Sequence, residues 1–305
     1  MTVAPVKPSE PSVAPVLKTP AEVIREAAGS ALRGGVAGAI AQGANVFALM
    51  WMRTIMNYQY RYGGGLRETA GKLYSEGGIP RFYRGLVPAL MQAPLSRFGD
   101  TAANVGVLAL LDSYDSTREL AIPVKTAAAS AGAALFRVLL MPIDAWKTTK
   151  QVEGASGMKA LLGKVRTNGI SHLWGGAMAA SGATFVGHYP WFVTHNSLSV
   201  YLPQFGVIAG SEKNGKMIRN ALIGFTASVV SDSISNSLRV IKTTKQTAIE
   251  PLTYPQTYKL IISKDGFRGL LGRGLKTRII TNGMQGMLFS VMWKAIEDQL
   301  KQRGH

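Results

Sequence analysis

Charged and amide side chains recur at matched positions in two largely apolar stretches of the chain. The first set is Arg137, Asp144, Lys147 and Gln151. The second set, 95 residues further along, is Asp232, Arg239, Lys242 and Gln246. At about 100° per residue, each set falls within roughly 80° of a helix circumference, so its members share one face. Such a face can form ion pairs and hydrogen bonds, and it can bind an anion.

Covalent chemistry is not indicated by the sequence. The chain has no cysteine, which excludes a disulfide framework, a thiol nucleophile and a thiolate metal site. No nucleophile–base set and no phosphate-binding loop is present, so we expect no enzyme activity. We also expect no cofactor and no metal. His188 and His195 share a helical face, but a third ligand is missing and packing or hydrogen bonding is the stronger interpretation.

The distribution of charge points to a membrane. The 305 residues have a net charge of +17, and such an excess favours nucleic acid, anionic lipid or an anionic small molecule as partner. Residues 34–52, 167–211 and 279–293 contain no Asp, Glu, Lys or Arg. A membrane-spanning helix needs about 20 mainly apolar residues. Lys and Arg concentrate between the apolar spans, so we expect no nucleic-acid partner, and a soluble helical bundle is the weaker alternative.

Internal repeats organise the chain. Lys147 and Gln151 have counterparts 95 residues later and, as Arg53 and Asn57, 94 residues earlier. A second series is Tyr83-Arg84-Gly85, Trp174-Gly175-Gly176 and Gly272-Arg273-Gly274, at spacings of 91 and 98 residues. We therefore divide a single domain, 26–305, into repeats 28–120, 121–214 and 215–305. Residues 1–25 contain five prolines and are expected to form a disordered arm.

Each repeat has two long apolar segments joined by a polar stretch. We expect an all-α membrane protein with six transmembrane helices of about 20 to 30 residues in a three-fold pseudosymmetric bundle. Three short amphipathic helices are expected near 68–76, 157–167 and 256–264. Ionisable groups at membrane depth face the bundle interior or a water-filled cavity, so the polar faces of the three repeats should converge on one axis.

These motifs resemble the mitochondrial carrier family over residues 30–300. Its repeat has Pro-x-acidic-x-x-basic, then acidic-Gly, then aromatic-basic-Gly. The first motif is complete as Pro142-Ile143-Asp144-Ala145-Trp146-Lys147, and the others are complete as Glu76-Gly77 and Tyr83-Arg84-Gly85. The other copies are degenerate, which indicates an atypical member.

The resemblance implies a matrix gate with few acids. The residues at the gate positions are Arg53, Asp144, Lys147, Arg239 and Lys242. The family pattern pairs Asp144 with Lys242 and leaves Lys147 and Arg53 without partners, because Met50 and Arg239 occupy the other acid positions. The polar brace beneath the gate would be Asn57, Gln151 and Gln246. The opposite gate, at 293–297, has its charges reversed and looks weak.

The resemblance also places the solute contacts on the second helix of each repeat and on Arg137. The candidates are Gln92, Arg97, Asp100, Arg137, Thr184, His188, Trp191, Thr281, Asn282 and Gln285. Structural alternatives are an Arg97–Asp100 pair, an Arg137–Asp232 pair, and packing for Trp191.

Function follows from the resemblance as an expectation. The leading hypothesis is a mitochondrial inner-membrane carrier that moves a small anionic metabolite by alternating access; a plastid envelope is the less favoured location. The alternative is a transport-inactive, structural or assembly subunit of an inner-membrane complex. Lipids, cardiolipin above all, are expected at helix starts after five glycines: Gly77, Gly85, Gly176, Gly266 and Gly274. The same glycines could also be simple helix caps.

Overall fold

The computed structural model describes residues 42–206 and 211–288, and every regular element in this part is a helix. The prediction of an all-helical chain is therefore confirmed for the described residues. The proline-rich arm, the start of the first repeat and the motif at 293–297 lie outside them.

The helices follow the predicted alternation of long and short segments. They are α1 (42–62), α2 (Leu66–Phe82), α3 (Leu86–Asp112), α4 (Asp115–Arg118), α5 (Ile122–Leu139), α6 (Met141–Glu153), α7 (Gly157–Asn168), α8 (Ala177–Tyr201), α9 (Glu212–Thr247), α10 (Tyr254–Gly272) and α11 (275–288). A short 3₁₀ turn, Ile170–Trp174, precedes α8. The three predicted short helices correspond to α2, α7 and α10.

The predicted helix length of about 20 to 30 residues does not hold at the start of the second and third repeats. In the second, the segment breaks into α5 and α6, which meet at a bend of 65°. Pro142 lies in the first turn of α6, where its missing N–H does not interrupt the helix that follows. In the third, Ser237 replaces that proline, and α9 continues unbroken for 36 residues.

Three glycines make the same close backbone approach, once in each repeat. A Cβ on each would lie 2.9 to 3.1 Å from a carbonyl oxygen of another repeat. The pairs are Gly85 with Lys147, Gly176 with Lys242 and Gly274 with Met56. Each glycine also has a positive φ, between 67° and 93°, which L residues rarely adopt. These contacts join α3 to α6, α8 to α9 and α11 to α1, so each repeat touches the next around a ring.

The described helices bury polar residues beside apolar ones, and they expose several large apolar residues. On α9, Ser235, Asn236 and Thr244 are fully buried. On the outer surface, Met178 and Val200 are 77% and 78% exposed. Buried polar groups and exposed large apolar residues are both less common in a water-soluble domain.

Within the described part of the chain, no individual helix combines the length and the apolar character needed to cross a bilayer. By length and composition, α5 and α6 taken together as a bent pair could do so.

Candidate functional site

A cavity of about 530 Å³ lies where helices of all three repeats meet. Eight of the ten predicted contact residues line it: Gln92, Asp100, Arg137, Thr184, His188, Thr281, Asn282 and Gln285. The five residues at the predicted gate positions are also on its wall. Their binding of a solute stays a prediction, because the geometry establishes only that they face a common space.

Asp144 is the centre of one ionic cluster on the cavity wall. Its Oδ2 accepts from Lys242 Nζ, the pairing that the family pattern implied. Its Oδ1 accepts from Lys147 Nζ at 2.8 Å and from Gln92 Nε2 at 2.8 Å. Lys147 Nζ also donates to Gln92 Oε1 at 2.5 Å. The expectation that Lys147 lacks a partner is therefore wrong, since one carboxylate has enough acceptor sites for both lysines.

A second ionic cluster joins α3 to α5. Arg137 NH2 lies 3.2 and 3.3 Å from the two carboxylate oxygens of Asp100, and Arg137 NH1 donates to Ser96 Oγ at 2.5 Å. Asp100 thus pairs across helices with Arg137, and Arg137 does not pair with Asp232. The side chain of Arg97 lies outside the described set.

A third cluster surrounds Asp232 on α9. Its Oδ1 lies 2.6 Å from Arg278 Nε and 3.6 Å from Arg239 NH2, and its Oδ2 accepts from Asn282 Nδ2 at 2.5 Å. Arg239 therefore has a carboxylate seven residues before it on its own helix. The sequence analysis did not select Arg278 as a candidate. Its position as the last charge before the uncharged stretch 279–293 was the signal that could have identified it as a cavity residue.

The remaining gate cation and the brace residues differ in their contacts. Arg53 NH2 donates to Gln285 Oε1 at 3.3 Å, a neutral partner. Asn57 Nδ2 donates to Gln151 Oε1 at 2.7 Å and so joins two repeats. The side-chain amide of Gln246 is buried, and neither of its polar atoms has a hydrogen-bond partner among the described residues. A hydrogen bond therefore joins two of the three predicted brace residues, and their role as a brace stays a prediction.

A comparison with protein families gives a match within the third predicted repeat. Residues 213–303 match the family model described as mitochondrial carrier protein. This segment belongs to the mitochondrial carrier family. The match supports the predicted family membership and indicates a solute carrier in general, a class of transporters and not of enzymes. Members of the family typically lie in the mitochondrial inner membrane. No curated protein matches the chain.

The matched segment contributes much of the cationic wall. Six cations among the described residues line the cavity: Arg53, Arg137, Lys147, Arg239, Lys242 and Arg278. Three of them, Arg239, Lys242 and Arg278, lie in the matched segment. Asp100 and Asp144 are the carboxylates among the described residues that line the cavity. Asp232 is not in this lining, but it pairs with Arg239 and Arg278. Six cations and three carboxylates leave a formal excess of 6 − 3 = +3. A cavity of this charge attracts anions.

Trp191 is not among the described residues that line the cavity. Its ring stacks on that of His195, with centroids 4.8 Å apart and planes 18° apart. His188, on the same helix, does face the cavity, and its Nδ1 lies 3.2 Å from Ser130 Oγ. The packing interpretation of Trp191 therefore agrees with the structure.

The glycines predicted to precede lipid-binding helix starts fall into two groups. Gly85 and Gly176 are the N-caps of α3 and α8, and Gly274 directly precedes α11. Gly266 has a φ of 64° at a kink inside α10, whereas at the corresponding kink of α2 the left-handed residue is Gly78 and Gly77 is extended. Lipid binding at these positions stays a prediction.

Proposed function

We propose that this protein is a membrane carrier that moves a small anionic solute by alternating access through the central cavity. The observation behind the proposal is the polar cavity at the junction of the three repeats, whose walls have more cations than carboxylates. A formal excess of positive charge in a site away from bulk water is energetically unfavourable until an anion occupies it. An anionic solute would therefore be stabilised there.

We further propose that the bundle has six transmembrane helices with three-fold pseudosymmetry. The recurring glycine contacts support this arrangement, since they link each repeat to the next in a closed ring. The exposed apolar residues support a lipid-facing outer surface. Typical family location makes the mitochondrial inner membrane the proposed site, with cardiolipin as a proposed partner at the helix starts after Gly85, Gly176 and Gly274.

The Asp144 cluster is the proposed gate. It links α3, α6 and α9 through Gln92, Lys147 and Lys242, so the three helices cannot separate without breaking these contacts. An anion that bound either lysine would compete with Asp144 and lower the cost of opening. A ligand shifts such an equilibrium only by its different affinity for the two states, and this competition provides the difference.

Replacing both gate lysines tests the proposal. In proteoliposomes, we expect Lys147→Ala/Lys242→Ala to reduce anion uptake at least tenfold, because the solute loses two cations and Asp144 loses its pairing. The measurement is uptake of labelled sulfate, phosphate, succinate and acetate by wild type and variant. The matched control, Lys159→Ala/Lys259→Ala, removes two exposed lysines and should transport like wild type. Uptake by the gate variant at the wild-type rate would contradict the proposal.

A structural role in an inner-membrane complex is the second candidate. It is favoured by the gate composition, because Met50 stands where the family has an acid and only Asp144 bridges the repeats at the gate among the described residues. Stoichiometric co-isolation with a large complex, together with no uptake of any anion tested, would support this role over transport.

A further inference from the structure

We propose that Arg53, Arg239 and Arg278 form a binding subsite for a doubly charged oxyanion of the solute. This inference rests on the proposed function, and it names the class of substrate and the part of the cavity that recognises it. The three residues come from α1, α9 and α11, and all line the cavity. We call them the guanidinium subsite.

The local charge of the guanidinium subsite sets the charge of its ligand. Asp232 is the one carboxylate paired with these cations among the described residues, so the formal sum is 3 − 1 = +2. At the Asp144 cluster, two lysines share one carboxylate, a sum of +1. Arg137 and Asp100 sum to zero. The largest local excess therefore lies at the guanidinium subsite, and a dianion would neutralise it.

The guanidinium subsite brings like charges to one part of the cavity wall and leaves a donor without a partner. Arg239 and Arg278 lie 3.6 and 2.6 Å from the same carboxylate oxygen of Asp232. The Nε of Arg239 is buried without a hydrogen-bond partner in the described part of the chain, and its NH2 lies 3.6 Å from Asp232, beyond hydrogen-bond distance. Arg53 donates to neutral Gln285. An oxyanion between these groups would relieve the repulsion and accept the free N–H donors.

Arginine also restricts the chemistry of the ligand. A guanidinium group presents its N–H donors in a planar fork that matches the oxygens of phosphate or carboxylate, whereas an ammonium group acts as a point charge. The ligand is therefore a solute with either one doubly charged oxyanion group or two carboxylates. Sulfate and succinate are probes for these two sources, and acetate is the singly charged control.

Binding to the purified carrier tests the subsite independently of transport. We expect sulfate or succinate, but not acetate, to raise the melting temperature in detergent, and the apparent Kd of that dianion to rise at least tenfold in Arg53→Gln. This change leaves no carboxylate unpaired, because Arg53 donates to a neutral amide. Arg278→Gln is the second variant, and Lys276→Gln is the matched control, an exposed cation on the same helix that should bind within twofold of wild type.

The arms of the experiment have separate meanings. Stabilisation by sulfate alone assigns a single doubly charged group, and stabilisation by succinate alone assigns a dicarboxylate; both support the subsite. Equal stabilisation by acetate, no stabilisation by either dianion, or an unchanged Kd in Arg53→Gln and Arg278→Gln would overturn it. Dianion binding without uptake in proteoliposomes would support the subsite and reject the transport function. Unaltered dianion uptake by both variants would support the transport function and reject the subsite.

Discussion

Replacing Asp144 by Asn is expected to lower the free energy of unfolding by about 3–5 kcal/mol, the usual cost of removing one partner from a buried ion pair. Asp144 accepts from Lys147, Lys242 and Gln92, and the neutral amide would leave two lysines facing each other without a counter-charge. Uptake should be lost as well, because the gate would lack its central contact. Unfolding of the purified protein in detergent measures the first effect, and uptake in proteoliposomes measures the second.

Two further variants isolate the role of the charge. Asp115→Asn removes an exposed carboxylate that lies 3.7 Å from Arg118, and surface pairs of this kind contribute little, so its stability should match wild type. Adding Lys147→Gln to Asp144→Asn removes one excess cation and should recover part of the lost stability. If the double variant were destabilised by the sum of the two single effects, the lysine and the carboxylate would not be coupled, and the proposed gate would be wrong.

Alanine at Gly85 or Gly176 should strongly destabilise the bundle. Each residue has a φ above 90°, and holding an L residue in that region costs about 1–3 kcal/mol. The added Cβ would also lie 2.9 or 3.0 Å from the carbonyl oxygen of Lys147 or Lys242, and such overpacking costs roughly a further 1–3 kcal/mol. We therefore expect a much lower melting temperature for Gly85→Ala and for Gly176→Ala.

Gly163→Ala is the matched control for the glycine prediction. Gly163 is exposed on α7, and a Cβ there would meet nothing within 4 Å. In this helical setting alanine should stabilise the protein by about 0.5–1 kcal/mol. Melting temperatures that fall equally in all three variants would show that the loss does not come from the contacts between repeats.

The repeat positions predicted from the sequence were informative because they reflect helical geometry. The spacing of Asp144, Lys147 and Gln151 on one helical face predicted that they would share a surface, and the structure places all three on the cavity wall. The recurrence of Gly85 and Gly176 likewise marked two positions of the same backbone contact. Residues that recur at the repeat spacing occupy equivalent places in the bundle. The shared helical face and the glycine contacts could therefore be predicted from the sequence.

The ionic partners could not be predicted in the same way. Repeat spacing predicts which residues are equivalent. It does not predict which side-chain rotamers and helix ends bring opposite charges together. Asp100 pairs with Arg137 from a different helix, and Asp232 pairs with Arg278, which has no charged counterpart in the motifs. Repeat spacing also does not predict that the second repeat bends by 65° between α5 and α6, next to Pro142, while α9, with Ser237 at the equivalent position, is unbroken. Trp191 does not line the cavity and stacks on His195, because the rotation of its helix, and not its apolar character, decides its contacts.

Cysteine labelling on the cavity wall tests most directly whether the solute passes through this cavity, because the chain contains no cysteine. Thr184 lines the cavity and bonds only to the carbonyl of Ala180 among the described residues, so Thr184→Cys should preserve the fold and uptake. Exposed Ser233→Cys on α9 is the control. We predict that a membrane-impermeant thiol reagent will abolish sulfate or succinate uptake by Thr184→Cys, that the transported dianion will slow this inactivation, and that the Ser233→Cys carrier will keep its uptake. Full uptake after complete modification of Thr184→Cys would contradict transport through this cavity.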